Sequence, residues 1–103
     1  RVRTVFVSDG VKDYILHLAA ATRSHKKISL GASPRGSIAL MRAAQAKAAV
    51  MGRDFVLPDD VKAIFLDVLS HRILCRAASH AQAATARTVL EQILSAVSAP
   101  VVS

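Results

Sequence analysis

Apolar side chains recur every three or four residues in four separate segments of the sequence, and this repeat constrains the fold more than any other feature. Spacing of this kind collects the apolar side chains on one face of an α-helix, which then packs against a shared core. The four predicted helices cover residues 9–23, 34–51, 58–71 and 85–97. We therefore predict an all-α fold, a compact four-helix bundle with at most short extended or β segments. At 103 residues, the chain suits one domain around one core.

The faces of the first two predicted helices differ in composition. The first is predicted to bury mostly large side chains, and its apolar face consists of Val11, Tyr14, Ile15, Leu18 and Ala19. The second is rich in alanine, and small side chains let neighbouring helices approach closely, so we expect it to be the central helix. Its predicted buried face consists of Ile38, Met41, Ala44, Ala48 and Met51.

Residues with capping chemistry stand at the ends of the predicted helices. Ser8 and Ser33 precede the first and second helices, where a hydroxyl can accept a hydrogen bond from a backbone N–H of the first turn. Gly52 ends the second helix because glycine adopts the left-handed backbone conformation at little cost. Pro100 prevents an extension of the fourth helix.

The third helix begins at Pro58 with an unusual residue in the cap position. Leu57 has no side-chain acceptor, so we expect Asp60 to satisfy a backbone N–H at this end. Arg53, just past the second helix, suits the negative pole of that helix dipole and is interpreted as structural. His71 has no Ser, Cys or carboxylate beside it at useful spacing, so it is interpreted as structural rather than catalytic.

Four segments lie outside the predicted helices. Residues 1–7 are rich in β-branched side chains, which favours a linker into the domain or a short edge strand. Residues 24–33 are predicted to be a basic loop, residues 76–84 a mobile loop or frayed helix, and residues 98–103 a tail. The chain begins at Arg1 without an initiator methionine, so we expect it to be a piece excised from a longer protein.

Arg35 breaks a local rule of helix electrostatics. Ser33 and Pro34 read as the cap and first residue of the second helix, which places Arg35 in the first turn. The helix dipole already puts about half a positive charge there, and an acidic residue would be the stabilising choice. A phosphate ligand would explain the arginine, because free N–H groups, the dipole and the guanidinium all suit an anion. An arginine that simply extends into solvent is the alternative.

The charge balance indicates an anionic partner without identifying it. The chain carries 14 Lys and Arg against 7 Asp and Glu, a net charge of +7. The basic residues are scattered, and one Tyr and three Phe are the only aromatic side chains available for stacking on bases. A basic helical nucleic-acid-binding module is therefore an alternative hypothesis, with nucleic acid an unlikely partner, and a plain protein-interaction module is another.

Several kinds of site have no support in the sequence. Cys75 is the one cysteine, so the chain has no internal disulfide, and its composition favours the cytoplasm. No Cys/His cluster has the spacing of a zinc site, and we predict no metal ligands. No apolar run approaches the roughly 18 residues needed to cross a bilayer, so we expect no membrane association. No glycine-rich loop ends in Lys-Ser or Lys-Thr, so the fragment alone should not hydrolyse ATP.

Several spaced motifs, in one order, together resemble a known family. They are Val11–Ile15, Thr22–Arg23, Leu30–Arg35, Gly52–Val56, Pro58–Val61 and Val68–Arg72. The chain closely resembles the C-terminal lid of MoxR-type AAA+ ATPases over about residues 5–100. It departs from the family pattern at Leu57, where Thr or Ser is expected, and in its alanine-rich residues 76–84.

The resemblance implies a small helical lid packed on an α/β ATPase domain of the same chain, with ATP between them. The ATPase domain would hold Mg²⁺ and the phosphate loop, so ATP hydrolysis would belong to the parent chain. Arg35 matches the sensor 2 arginine, which reaches the terminal phosphates of ATP, and Ser33 and Pro34 belong to the same motif. Tyr14 lies where the lid would flank adenine, although a core tyrosine is an equal alternative.

The resemblance also implies how the parent protein is assembled and used. Members of the family form hexameric rings and are linked to chaperone-like remodelling or maturation of other protein complexes. Their partners often carry a von Willebrand factor A domain. We therefore expect homo-hexameric neighbours and partners of that type.

Overall fold

The described residues of the domain form four helices and one short pair of strands. The computed structural model describes residues 4–76 and 82–100. In chain order the elements are α1 (Asp9–Ser24), β1 (Ile28–Leu30), α2 (Pro34–Val50), α3 (Pro58–Leu69), β2 (Leu74–Cys75) and α4 (Gln82–Ala96). The predicted all-α fold with at most short β segments is confirmed.

The core forms where α2 packs on α1 and α3 and where α4 packs on the same two helices, and the contact between α2 and α3 is the most extensive. All five residues predicted for the buried face of the first helix are buried. The buried stripe of α2 repeats every four residues, at Gly36, Leu40, Ala44 and Ala48. Because this stripe is made largely of small side chains, α3 can pack close to the α2 backbone.

The predicted face of α2 is wrong in two places. Ile38 is 49% exposed and Met51 is 60% exposed. Ile38 is two residues from both Gly36 and Leu40, so it lies about 200° around the helix from the buried stripe. Met51 follows the last residue of α2 and caps the helix through its backbone N–H. The apolar character of Ile38 and Met51 therefore does not mean that these side chains lie in the core.

A short antiparallel pair of strands joins two distant parts of the chain. β1 pairs with β2, with Ile28 opposite Cys75 and Leu30 opposite Leu74. The backbone N–H of Arg76 continues the pairing by donating to the carbonyl of Lys27 at 2.9 Å. The prediction of a loop over residues 24–33 is therefore wrong for the three residues of β1.

The helix boundaries differ little from the predicted ones, except at the last helix. α4 begins at Gln82, three residues before the predicted start, so residues 82–84 are helical. The rest of the alanine-rich segment falls partly on residues 77–81, which lie outside the described residues. Gly52 adopts a left-handed conformation with φ of 80° just after α2, as predicted for its end.

The segment before α1 is extended and pairs with the link between α2 and α3. Phe6 forms an isolated parallel bridge with Phe55. The Phe6 N–H donates to the Asp54 carbonyl at 2.8 Å, and the Val56 N–H donates to the Phe6 carbonyl at 2.9 Å. The side chains of Val5 and Val7 are buried, so this segment contributes to the core.

Asp60 organises the start of α3. Its Oδ2 accepts a hydrogen bond from the backbone N–H of Leu57 at 2.7 Å. This confirms that a carboxylate inside the helix satisfies a backbone N–H at a cap position that lacks a side-chain acceptor. The same carboxylate accepts two hydrogen bonds from the Arg53 guanidinium, at 2.6 and 2.7 Å. Arg53 is therefore structural, as predicted, and ties the end of α2 to the start of α3.

Replacing Asp60 should change how the stability of the domain depends on pH. The hydrogen bonds from Arg53 hold the pKa of the Asp60 carboxyl below its ordinary value of 3.8, burial opposes this effect, and the Leu57 N–H supports it. A lowered pKa in the folded state stabilises the fold above the unfolded pKa, and this contribution disappears as the pH falls through the folded pKa. Asp60→Asn should therefore lower the free energy of unfolding at pH 7, and the deficit should shrink below about pH 4.

Urea unfolding at pH 7 and pH 3 measures this difference. Asp59→Asn is the matched control, because Asp59 is exposed and lies in the same helical turn. A deficit for Asp60→Asn that is equal at both pH values would show that the charge of Asp60 does not stabilise the fold.

Candidate functional site

The loop that leads into α2 presses against the end of α1 at Gly31. A Cβ placed on Gly31 would lie 2.7 Å from both the Cα and the backbone N of Arg23. Real side chains do not tolerate that distance from backbone atoms, so only glycine permits this close approach. The position of the loop is therefore fixed by direct contact with the α1 backbone.

Hydrogen bonds from the last turn of α1 hold the next residue, Ala32. The Thr22 hydroxyl accepts from the Ala32 N–H at 2.9 Å and donates to the Ala19 carbonyl at 2.6 Å. The Arg23 Nη1 donates to the Ala32 carbonyl at 2.9 Å. Both Thr22 and Ala32 are buried, and the backbone N–H and C=O of Ala32, the residue just before the helix cap, both have partners. These contacts position the start of α2 relative to α1.

Ser33 caps α2, as predicted. Its Oγ accepts from the backbone N–H of Gly36 at 3.3 Å, and Pro34 is the first helical residue. Arg35 follows and is exposed, and its side chain has no hydrogen bond or ion pair within residues 4–76 and 82–100. The predicted residues Ser33, Pro34 and Arg35 therefore form one short surface at the N-terminus of α2.

The electrostatics of this surface are unusual for a helix N-terminus. The first turn of α2 contains no acidic residue, although an acid would stabilise it. The aliphatic part of a second arginine side chain lies nearby, because Cδ of Arg72 is 4.0 Å from the position that a Cβ on Gly36 would occupy. In the described part of the chain, the Arg72 side chain also has no ion pair. Chemically, this arrangement can attract an anion, and the residues that form it include no carboxylate or imidazole that could act as a general base.

Tyr14 lies elsewhere in the domain. Its side chain is 1% exposed, and its hydroxyl has no hydrogen-bond partner among the described residues. Burial raises the pKa of Tyr14 above its ordinary value of 10.0, and the negative charge of Asp59 adds to the increase. Along α1, Tyr14 is eight residues before Thr22, which corresponds to about 12 Å. The structure therefore does not bring Tyr14 together with Ser33, Pro34 and Arg35.

Sequence reasoning missed the residues that position the site. Thr22 and Arg23 act on Ala32 across ten and nine residues of chain, and no helical spacing indicates such contacts. Gly31 was an available signal, because a glycine two residues before a helix cap suggests a close approach of the backbone.

A family model described as the AAA lid domain matches residues 20–93 of the chain. The chain belongs to the AAA lid domain family. The matched region runs from the last turns of α1 into α4 and includes the whole candidate site. The predicted relationship to MoxR-type AAA+ ATPases is confirmed by relatives of this lid domain.

Two curated relatives cover nearly the whole lid domain. The uncharacterized protein YeaC of Bacillus subtilis is 41% identical over 100 residues, which are 97% of this chain and 31% of that protein. Chaperone MoxR1 of Mycobacterium tuberculosis is 33% identical over 107 residues, which are 95% of this chain and 28% of that protein. The lid domain therefore spans about a third of the length of these relatives.

A solved structure has the same fold. The crystal structure of a proposed ATPase from Cytophaga hutchinsonii matches the lid domain with a TM-score of 0.82 and 34% identity. The match covers 95% of this chain and 32% of that protein. The helical lid is thus one part of a larger chain in that structure.

Two features are absent from the described residues of the lid domain. Among residues 4–76 and 82–100, no helix has both the length and the apolar character to cross a membrane. Over the same residues, no group of three or more His, Cys, Asp or Glu side chains could hold a metal ion.

Proposed function

We propose that this lid domain closes over ATP bound to an adjacent α/β ATPase domain of the same polypeptide, with Arg35 as the sensor 2 arginine. One observation carries the proposal: Arg35 is exposed and unpaired in the described structure, in the first turn of a helix whose N-terminus is clamped to α1. A cation in that place destabilises the free helix. An anionic ligand would reverse the sign of this effect.

The donor groups at this surface fit a phosphate. The positive end of the α2 dipole, the Arg35 guanidinium and the nearby Arg72 side chain would act on the same anion. A guanidinium presents a planar fork of N–H donors that matches phosphate oxygens. A hydrogen bond to a charged group contributes about 1.5–3 kcal/mol, which is enough to favour a closed lid when ATP is bound.

The residues do not fit Mg²⁺, and the proposal assigns the metal to the ATPase domain. The start of α2 has no carboxylate in its first turn, whereas Mg²⁺ is usually held by carboxylates and by substrate phosphates. This lid domain would therefore supply a cation to the terminal phosphate and leave hydrolysis to residues of the other domain. By itself the 103-residue chain should remain inactive.

The wider role of the parent protein is also proposed. A relative of the lid domain is named a chaperone, which supports chaperone-like remodelling or maturation of protein complexes driven by ATP. A homo-hexameric ring and partners with a von Willebrand factor A domain remain proposals that rest on the family resemblance. The cytoplasmic location stays a prediction from the cysteine content, and a contact between Tyr14 and adenine stays a prediction too.

Nucleotide binding to the full-length parent protein tests the role of Arg35. Arg35→Ala should weaken the binding of a non-hydrolysable ATP analogue by less than it lowers turnover, but more than it weakens the binding of ADP, because only the triphosphate offers the terminal phosphate. Arg42→Ala is the matched control, since Arg42 is an exposed arginine of the same helix. Equal losses for the two nucleotides would contradict the proposed contact.

A further inference from the structure

An apolar groove opens on the surface between α1 and α2. Its volume is about 210 Å³, and the surface that lines it is entirely apolar. Its walls are formed by Lys12, Ile15, Leu16, Ser37, Ile38 and Met41. Two of these side chains are unusually accessible for large aliphatic residues: Leu16 is 54% exposed and Ile38 is 49% exposed. Ile38, which the core leaves exposed, thus lines a concave apolar surface.

The groove adjoins the proposed phosphate-facing surface. Ile38 follows Arg35 by three residues on α2, so the two side chains are neighbours on one helix face. Their separation along the helix axis is about 4.5 Å. A protein domain that holds a phosphate against Arg35 therefore also faces Ile38 and the mouth of the groove.

We propose that the groove receives an apolar side chain of the ATPase domain in the same polypeptide, and so forms the docking surface of the closed lid. This inference rests on the proposed function. The relatives extend over about three times the length of this chain, so the ATPase domain lies in sequence that the structure does not include. The absence of polar lining favours a large aliphatic or aromatic side chain, because a charged group would lose its hydration there.

The contact in the groove and the contact of Arg35 with phosphate would have different roles. An apolar anchor in a pocket contributes affinity in every nucleotide state, whereas the Arg35 contact responds to the terminal phosphate. The groove would hold the lid near the nucleotide in every state, and the Arg35 contact would form only when the terminal phosphate of ATP is present. Lys12 at the edge of the groove is exposed and can stay in water when the groove is covered.

Thiol labelling of the full-length parent protein tests the docking surface. Ile38→Cys and Val50→Cys each place one reporter on α2, and Val50, at the other end of that helix, is 83% exposed. Cys75 is 7% exposed, so it should react slowly. With a non-hydrolysable ATP analogue bound, N-ethylmaleimide should modify Ile38→Cys at least tenfold more slowly than Val50→Cys, measured by peptide mass spectrometry. The exposures of Ile38 and Val50 in the lid differ less than twofold, so exposure within the lid alone does not produce that ratio.

The outcomes separate this inference from the proposed function. Equal labelling of the two cysteines overturns the docking surface, whatever Arg35→Ala does to nucleotide binding. Slow labelling of Ile38→Cys with no nucleotide effect of Arg35→Ala overturns the sensor 2 role and leaves the docking surface standing. Slow labelling that is lost when the protein is diluted to monomers would mean that another copy covers the groove, which overturns the assignment to the same polypeptide.

Discussion

Gly31→Ala is expected to destabilise the lid domain by about 2–4 kcal/mol. The new Cβ would lie 2.7 Å from backbone atoms of Arg23, so the loop must move away from α1. That movement stretches the hydrogen bond between the Thr22 hydroxyl and the buried N–H of Ala32, and an unsatisfied buried N–H adds to the cost of the steric clash. Thermal unfolding of the 103-residue chain, followed by circular dichroism, should show a melting temperature at least about 8 °C lower.

Gly10→Ala is the matched control for this substitution. Among the described residues, a Cβ on Gly10 would meet only the Cβ of Pro100, at an ordinary contact distance of 3.7 Å. Gly10 lies in α1, where alanine has the higher helix propensity. Its melting temperature should be unchanged or slightly higher. A Gly31→Ala variant as stable as Gly10→Ala would show that the approach of the loop to α1 is not tight in solution.

Arg35→Ala is expected to affect stability and activity in opposite ways. The substitution removes a cation from the positive end of α2, so the isolated lid should be as stable as before or slightly more stable. In the full-length parent, it would remove a contact to phosphate of about 1.5–3 kcal/mol, which corresponds to about a ten- to hundredfold loss of turnover. We expect the loss mainly in kcat, because the ATPase domain would still hold ATP while the lid could no longer close productively.

The parts of the fold that depend on neighbours in sequence could be predicted. The capping hydroxyl of Ser33 and the left-handed end at Gly52 are local effects, and the structure contains both. The role of Asp60 is also local, since the carboxylate acts on a backbone N–H three residues away. In each case the interacting groups lie within one helical turn, where chain geometry fixes their distance.

The parts that depend on distant contacts could not be predicted. β1 exists because it pairs with β2, about 45 residues later in the chain, and a three-residue strand has too little periodicity to be recognised. The buried stripe of α2 was misplaced at Ile38 because apolar character alone does not tell a core contact from an exposed groove. The anchoring of Ala32 by Thr22 likewise required knowledge of where α1 and the loop meet.

The two arginines near the start of α2 illustrate the difference for the candidate site. Arg35 could be singled out from sequence because its position in the first turn contradicts the helix dipole. Arg72 could not be singled out, because its place beside Gly36 depends on the packing of α3 against α2. A charge that contradicts the helix dipole can therefore be recognised in a sequence, whereas a charge that packing brings to the site can be recognised only in the structure.

The most direct test of the central claim is the steady-state ATP turnover of the full-length parent protein carrying Arg35→Ala, Arg35→Lys or Arg42→Ala. If Arg35 acts on the terminal phosphate, Arg35→Ala should lower kcat by about ten- to hundredfold. Arg35→Lys should fall between wild type and alanine, because it keeps the charge without the planar fork. Arg42→Ala should leave kcat near the wild-type value. An Arg35→Ala enzyme with wild-type turnover, together with a lid destabilised by several degrees, would contradict the claim and make Arg35 a structural residue.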